Sequence, residues 1–204
     1  MTMTQTIVLA TRNRHKLREL RELMPGLESI EMKMLDEFPG APEVTEDGVT
    51  LEENAAKKAK SAALFCRLWA LADDTGLEVD ALGGAPGVYS ARYAGGDCSY
   101  AANNLKLVAG LSGLPAEKRT ARFRCVMALA SPGGSVITVE GRLEGRIALS
   151  LSGTGGFGYD PLFLPAGSDK TLAELTPAGK NALSHRAAAV RKIEPYLARL
   201  RDEG

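Results

Sequence analysis

Four short runs carry the side chains most able to do chemistry. They are TRNRHK at 11–16, ADDTG at 72–76, GTGGFGYDP at 153–161 and SHR at 184–186. A threonine, an asparagine and a lysine around a helix start can cradle an anion. Adjacent aspartates can hold a hard divalent cation. A glycine-dense run with two aromatics lets backbone come close to a flat ring. A late cationic run can clamp oxygens. Together they would suit a polyphosphate ligand, a divalent cation and hydrolysis.

TRNRHK follows the apolar run TIVLA and opens a helix with Leu17, Leu20, Leu23 and Met24 on one stripe. Helix N-terminal N–H groups carry partial positive charge and receive anions well. Thr11 and Asn13 can donate hydrogen bonds, and Lys16 adds a point charge. The Walker pattern GxxxxGK[ST] is absent here. The same run also reads as a plain strand–turn–helix capped by Asn13, with His15 on the surface of the first turn. Asp73 and Asp74 end a short apolar strand, where ligands of open α/β sheets gather. Mg2+ binds through one or two carboxylates plus substrate phosphates. Neighbouring side chains on an extended strand point to opposite faces, so one aspartate faces a metal and the other supports structure. The alternative is an acidic turn. Glu46, in the loop TEDG, is the candidate second ligand, or else simply solvated.

GTGGFGYDP packs four glycines into residues 153–158. Glycine allows positive φ and close backbone approach. Phe157 or Tyr159 could stack on a base, an interaction worth about 1–3 kcal/mol; a tight loop with core aromatics is the alternative. In SHR, Arg186 offers a planar fork of donors to oxygens, with Lys180 and His185 close in sequence. A charged helix start would look the same.

The elements that must position these runs follow from pattern and composition. Strands are expected over 6–10, 29–35 and 69–72, and a hairpin over 121–130 and 135–149 around SPGG. Helices are expected from Leu17 to a stop at Pro25-Gly26, over 51–67, over 100–111 with Ser99 as cap, and over 181–201. Alternating strands and helices followed by a hairpin argue for an α/β fold with a mixed sheet. At 204 residues, 45% hydrophobic and 25% charged, the chain fits one domain, 1–204. Lys plus Arg equal Asp plus Glu at 25 each, so no global field favours nucleic acid or an anionic membrane. The odd set Cys66, Cys98 and Cys125 reads as free thiols in a reducing compartment. The first apolar run is too short for a signal sequence, and none approaches the ~18 residues of a membrane span. A cytoplasmic location is expected.

Six runs occur in order, TRNRHK, EDGVTLEENA, ADDTGLEVDALGGAPGVYSARYAG, GTGGFGYDPLF, TLAEL and KNALSHR, and the resemblance they carry extends over nearly the whole chain. In this combination the sequence resembles the inosine triphosphate pyrophosphatase family, hydrolases of noncanonical purine nucleotides. The resemblance implies a long mixed β-sheet flanked by helices, in two lobes with the nucleotide in a cleft between them. It implies a homodimer, a need for Mg2+, and cleavage of ITP, dITP and XTP to the nucleoside monophosphate and pyrophosphate. Carried over, Thr11, Arg12, Asn13, Arg14, His15 and Lys16 meet phosphates, with Lys16 also catalytic. Asp74 is the catalytic carboxylate and, with Glu46, a metal ligand. Thr75, Phe157, Gly158, Tyr159, Asp160, Lys180, His185 and Arg186 meet the nucleotide. Two departures stand out: Thr45-Glu46 where many relatives carry paired glutamates, and Arg12 where glycine is common. Competing readings are a pyrophosphatase of modified pyrimidine nucleotides, a nucleotide-binding regulator without catalysis, and a dimerisation module built on GGAPGVYSARYAGG. Asp74, Glu46 and Lys16 speak against the regulator, because a pure binder needs no metal-assisted base, and a dimerisation module leaves the other motifs unexplained.

Overall fold

The computed structural model describes residues 5–25, 30–96 and 99–203, with side chains described as far as residue 200. Among the described residues it has seven strands and five α-helices. In chain order they are β1 (Gln5–Leu9), α1 (Arg14–Leu23), β2 (Ile30–Met34), α2 (Leu51–Cys66), β3 (Trp69–Val79), β4 (Pro86–Gly87) and α3 (Tyr100–Gly110). There follow β5 (Thr120–Ala130), β6 (Val136–Ile147), β7 (Phe163–Pro165), α4 (Pro177–Leu183) and α5 (His185–Glu203). The sheet runs β2-β1-β3-β5-β6-β7, with β4 paired to β3. Strand β1 is parallel to β2 and β3, whereas β3–β4 and β6–β7 are antiparallel. The fold is therefore mixed α/β, as expected.

Two compact units divide the chain. The first takes in Met1–Asp74, Cys125–Gly141 and Arg186–Gly204; the second takes in Thr75–Arg124 and Arg142–His185. The first core joins Ile7 and Leu9 of β1, Leu20 of α1, Leu71 of β3, Met127 and Leu129 of β5, and Ile193 and Leu197 of α5. Burying each such side chain contributes about 1.5–3 kcal/mol. The second core joins Leu77 and Val79 of β3, Leu107 of α3, Phe123 of β5, Ile147 of β6 and Phe163 of β7, with Leu162 and Leu172 from the connecting chain.

Most expected elements are present, with three differences. Strand β3 continues through Asp73 and Asp74 to Val79 instead of stopping at Ala72. The last helix is two: Ser184 adopts an extended conformation (φ −64°, ψ 153°) and separates α4 from α5. The loop 83–96 contains the short strand β4 and a helical turn at Ser90–Arg92. Gly26, Ser29 and Cys98 lie outside the described residues; Cys66 and Cys125 are not joined in a disulfide.

Candidate active site

In the first unit, the chemistry gathers where β3 passes its last pairing with β1. Leu9 pairs with Leu71, and Ala10 N donates to Leu71 O at 2.8 Å. Beyond that pairing β1 turns into α1, while β3 runs on to two buried aspartates, Asp73 and Asp74. They do take different partners. One oxygen of Asp73, Oδ2, receives both Lys16 Nζ at 3.1 Å and Arg186 Nη2 at 3.1 Å. Arg186 is 1% exposed, and its other terminal nitrogen pairs with Glu19 of α1. Asp74 Oδ1 accepts from Lys58 Nζ of α2 at 2.9 Å, and the same ammonium lies 3.1 Å from Glu46 Oε1. Asp74 Oδ2 is buried with no hydrogen-bond partner.

The two carboxyls are pushed in opposite directions. Burial alone would raise Asp73, but the charges of Lys16, Arg186 and Lys58 outweigh it and hold Asp73 well below the usual carboxylate range. Burial also raises Asp74; Lys58 and Lys16 offset this only in part, Glu46 reinforces it, and the net shift is upward. For Lys58, burial is outweighed by Asp74, Glu46 and Asp73, so its ammonium is held above its ordinary range.

The flanking loops have local causes. Asn13 caps α1, its Oδ1 accepting from His15 N at 2.9 Å and Lys16 N at 3.3 Å, while Thr11 Oγ1 accepts from Asn13 N. This differs from the expected open cradle: the first amides of α1 already have a side-chain acceptor. Arg12, Arg14 and His15 are exposed, and Arg12 faces Asp36 at 3.4 Å. The acidic loop is fastened to α2. Gly48 N donates to Asn54 Oδ1 at 2.8 Å, and Val49 N donates to Glu53 Oε2, while Thr50 caps the helix by accepting from Glu53 N.

The second unit holds the glycine-rich run. Gly153, Gly156 and Gly158 all have positive φ. Asp160 Oδ2 accepts from Phe157 N at 2.8 Å and from Lys180 Nζ at 2.7 Å, with both charged residues buried. Lys180 Nζ also stands 5.0 Å from the centroid of the half-buried Phe157 ring, and Tyr100 lies 6.0 Å from the same ring. Of the two candidate stacking rings only Phe157 is placed for it. Tyr159 is buried, and its hydroxyl donates to Ser90 O at 2.8 Å. Asn104 of α3 donates to Gly158 O at 3.0 Å. Thr75 is half-buried on β3. His185 is buried and stacks on Phe123 at 4.6 Å, so its ring packs in the core.

A model of the Ham1 family matches residues 7–196. The chain belongs to the Ham1 family. It is 53% identical over 191 residues to a dITP/XTP pyrophosphatase of Geobacter sulfurreducens, spanning 94% of this chain and 96% of that protein. It is 48% identical over 204 residues to a dITP/XTP pyrophosphatase of Nocardia farcinica, spanning 99% of this chain and 98% of that one. Among solved structures, a HAM1 protein from Coxiella burnetii superposes with a TM-score of 0.87 at 41% identity, covering 96% of this chain and 99% of its own. A nucleoside-triphosphatase/dITP/XTP pyrophosphatase from Mycobacterium abscessus gives 0.77 at 44% identity, covering 95% and 100%.

Within this Ham1 chain, sequence reasoning brought Lys16, Asp73, Asp74, Glu46 and Arg186 to notice, and all five lie in one charge cluster. It missed Lys58, which joins Glu46 to Asp74, and Glu19, which shares Arg186. Arg186 is not the open clamp expected from SHR, because its guanidinium is committed to Asp73 and Glu19. Among the described residues, no three His, Cys, Asp or Glu side chains group as a metal site. A cation here would have two carboxylates, Glu46 and Asp74. That set fits Mg2+, which takes one or two carboxylates and completes its shell with water and phosphate oxygens. Two observations support the fit: Asp74 keeps a buried, unbonded oxygen, and a cationic ammonium already bridges the pair.

Proposed function

We propose that this Ham1 protein hydrolyses noncanonical purine nucleoside triphosphates, of the dITP and XTP class, to the monophosphate and pyrophosphate. The observation that carries this reading is the charge cluster at β3, where a buried carboxyl of raised pKa lies in one network with a half-buried lysine and a second carboxylate. The relatives at about 50% identity are dITP/XTP pyrophosphatases over nearly their whole length, which supports the substrate class.

In this reading Glu46 and Asp74 hold Mg2+. Bound there, Mg2+ would neutralise phosphate charge and polarise a phosphoryl oxygen. Asp74 orients a water and takes its proton for attack at the α phosphorus. A carboxyl raised above its ordinary pKa is a better base than a free one. Lys16, held by Asp73, places positive charge on the leaving pyrophosphate. Thr11 and Asn13 line the same turn, and Arg12, Arg14 and His15 supply charge from its exposed side. Arg186 acts at one remove by sharing Asp73 with Lys16.

In the second unit, Phe157 stacks on the purine, and Gly158, Asp160 and Lys180 read its edge. Tyr159 and His185 support that loop from the core, and Thr75 lies beside Asp74 on β3. An oxygen at purine position 6 accepts from Lys180 and loop N–H groups, where adenine presents a like donor. A site built on such hydrogen bonds can discriminate by about 10⁴. The enzyme works as a homodimer in the cytoplasm, where a reducing environment keeps Cys66 and Cys125 out of disulfides.

The test is incubation with Mg2+ and, separately, ITP, XTP, dITP, GTP and ATP, with products resolved by phosphorus NMR. Pyrophosphate and monophosphate from the first three alone are expected. Orthophosphate as product, or equal turnover of ATP, overturns the reading.

A further inference from the structure

Two neighbouring lysines of α2 make a comparison the molecule has already set up. Lys57 pairs with Asp47 at 2.5 Å in the open, with side chains 46% and 65% exposed. Lys58, one residue on, is turned inward. Its side chain is 11% exposed, that of Asp74 is 8% exposed, and it bridges Asp74 at 2.9 Å and Glu46 at 3.1 Å. These are the two carboxylates assigned above to the metal.

The geometry points to Lys58 as a displaceable internal counter-cation, which holds the Glu46–Asp74 pair together without metal and must give way when a divalent cation enters. The inference rests on the metal role proposed for those two residues. It adds that metal entry is an exchange of one cation for another, not the filling of an idle site.

Three observations carry it. A buried carboxylate beside a second carboxylate needs a compensating charge, and Lys58 supplies it. Lysine is suited to exchange, because its ammonium is a point charge on a flexible stem and not a rigid fork. Asp74 Oδ2 stays buried and unbonded, so the ammonium compensates the pair without satisfying it. The loop carrying Glu46 keeps other fastenings to α2, through Gly48 to Asn54 and Val49 to Glu53, so it remains placed when Lys58 leaves. A ligand competing with a resident cation binds more weakly than it would alone.

The experiment measures Mn2+ binding to the nucleotide-free protein by electron paramagnetic resonance, together with the melting temperature with and without Mn2+. Lys58→Met is compared with Lys57→Met, which removes the same charge from the same helix. We expect Lys58→Met to tighten Mn2+ binding about tenfold and Lys57→Met to change it less than about twofold. We also expect Lys58→Met to lower the metal-free melting temperature, with saturating Mn2+ restoring it. Lys58→Arg, which keeps the charge, should bind Mn2+ no more tightly than the unaltered protein. If Lys58→Met fails to fold, Lys58→Gln takes its place in the same comparison. Equal Mn2+ affinity in the Lys58 and Lys57 variants, or tightening by Lys58→Arg, overturns the exchange while leaving the metal site standing. Absence of Mn2+ binding in every variant overturns the exchange and the metal assignment together.

Discussion

The end of β3 and the glycine-rich run of 153–160 organise charge in opposite ways. At β3, Asp73 and Asp74 are surrounded by cations delivered from regular elements: Lys16 from α1, Lys58 from α2 and Arg186 from α5. Position there is set by helix phase and strand register, and the balance of charges decides each pKa. In the glycine-rich run a lysine–aspartate pair works together with backbone, because Asp160 also accepts a backbone amide and the chain turns through glycines of positive φ. Backbone shape does there what side-chain charge does at β3. The first region should therefore be sensitive to changes of charge at constant shape, and the second to changes of shape at constant charge.

The largest effect should come from Asp74→Asn. The change removes a charge that burial disfavours and keeps nearly the same volume, so folding should survive. Lys58 retains Glu46 at 3.1 Å. Loss of a positioned base costs about 10²–10⁴ in turnover. Pyrophosphate release and the urea midpoint, measured on the same preparation, separate activity from stability. Near-normal turnover would remove Asp74 from the role of base and blur the contrast between the two regions.

Asp73→Asn should do the converse, costing stability first. It leaves Lys16 and Arg186, both drawn to one carboxylate oxygen, without their shared partner. Removing one member of a buried ion pair costs about 3–5 kcal/mol. The sign with pH follows from the direction of the shift. Asp73 is held below its ordinary 3.8, so its contribution is full above that pH and is lost as pH falls through the lower folded value. Denaturant unfolding of both proteins should show a difference that is large at neutral pH and shrinks only below about pH 3.8. A difference that is flat with pH would mean that Asp73 acts through packing.

The parts of this arrangement that sequence could reveal were those with unusual local composition. ADDTG and the glycine run are rare enough to notice, and the capping Asn13 and Thr50 follow ordinary helix-start chemistry. Lys58 was not legible. Within AAKKAK it looks like its neighbour, and only the phase of α2 against β3 turns one lysine inward and leaves the other in solvent. The length of β3 was hidden for a related reason. Aspartate and glycine are poor strand formers, but strand preference yields to tertiary context, here the buried ion pairs of Asp73 and Asp74. The division of the last helix at Ser184 carries no glycine or proline to mark it. Arg186 misled because an arginine at a helix start is commonly exposed, and nothing in SHR indicates Glu19, which lies 167 residues earlier.

The second region is sharpened by adding one methyl group at two glycines of the same loop. Gly156 has φ +70°, and a Cβ there would overlap Asp160 Oδ2. That oxygen accepts from both Phe157 N and Lys180 Nζ. Gly156→Ala should therefore displace the carboxylate from both donors and let the Phe157 ring move. Gly158 has φ +65°, but a Cβ there meets nothing within 4 Å. Gly158→Ala should cost only the left-handed backbone strain of an alanine, about 1 kcal/mol. In steady-state kinetics with ITP, Gly156→Ala is expected to raise KM about tenfold with kcat within about threefold. Gly158→Ala should raise KM only a few-fold, in line with a strain of about 1 kcal/mol. If the two variants behave alike, backbone strain alone explains both and Asp160 has no special part. If Gly156→Ala lowers kcat as severely as Asp74→Asn, the division of labour between charge at β3 and shape in the loop fails.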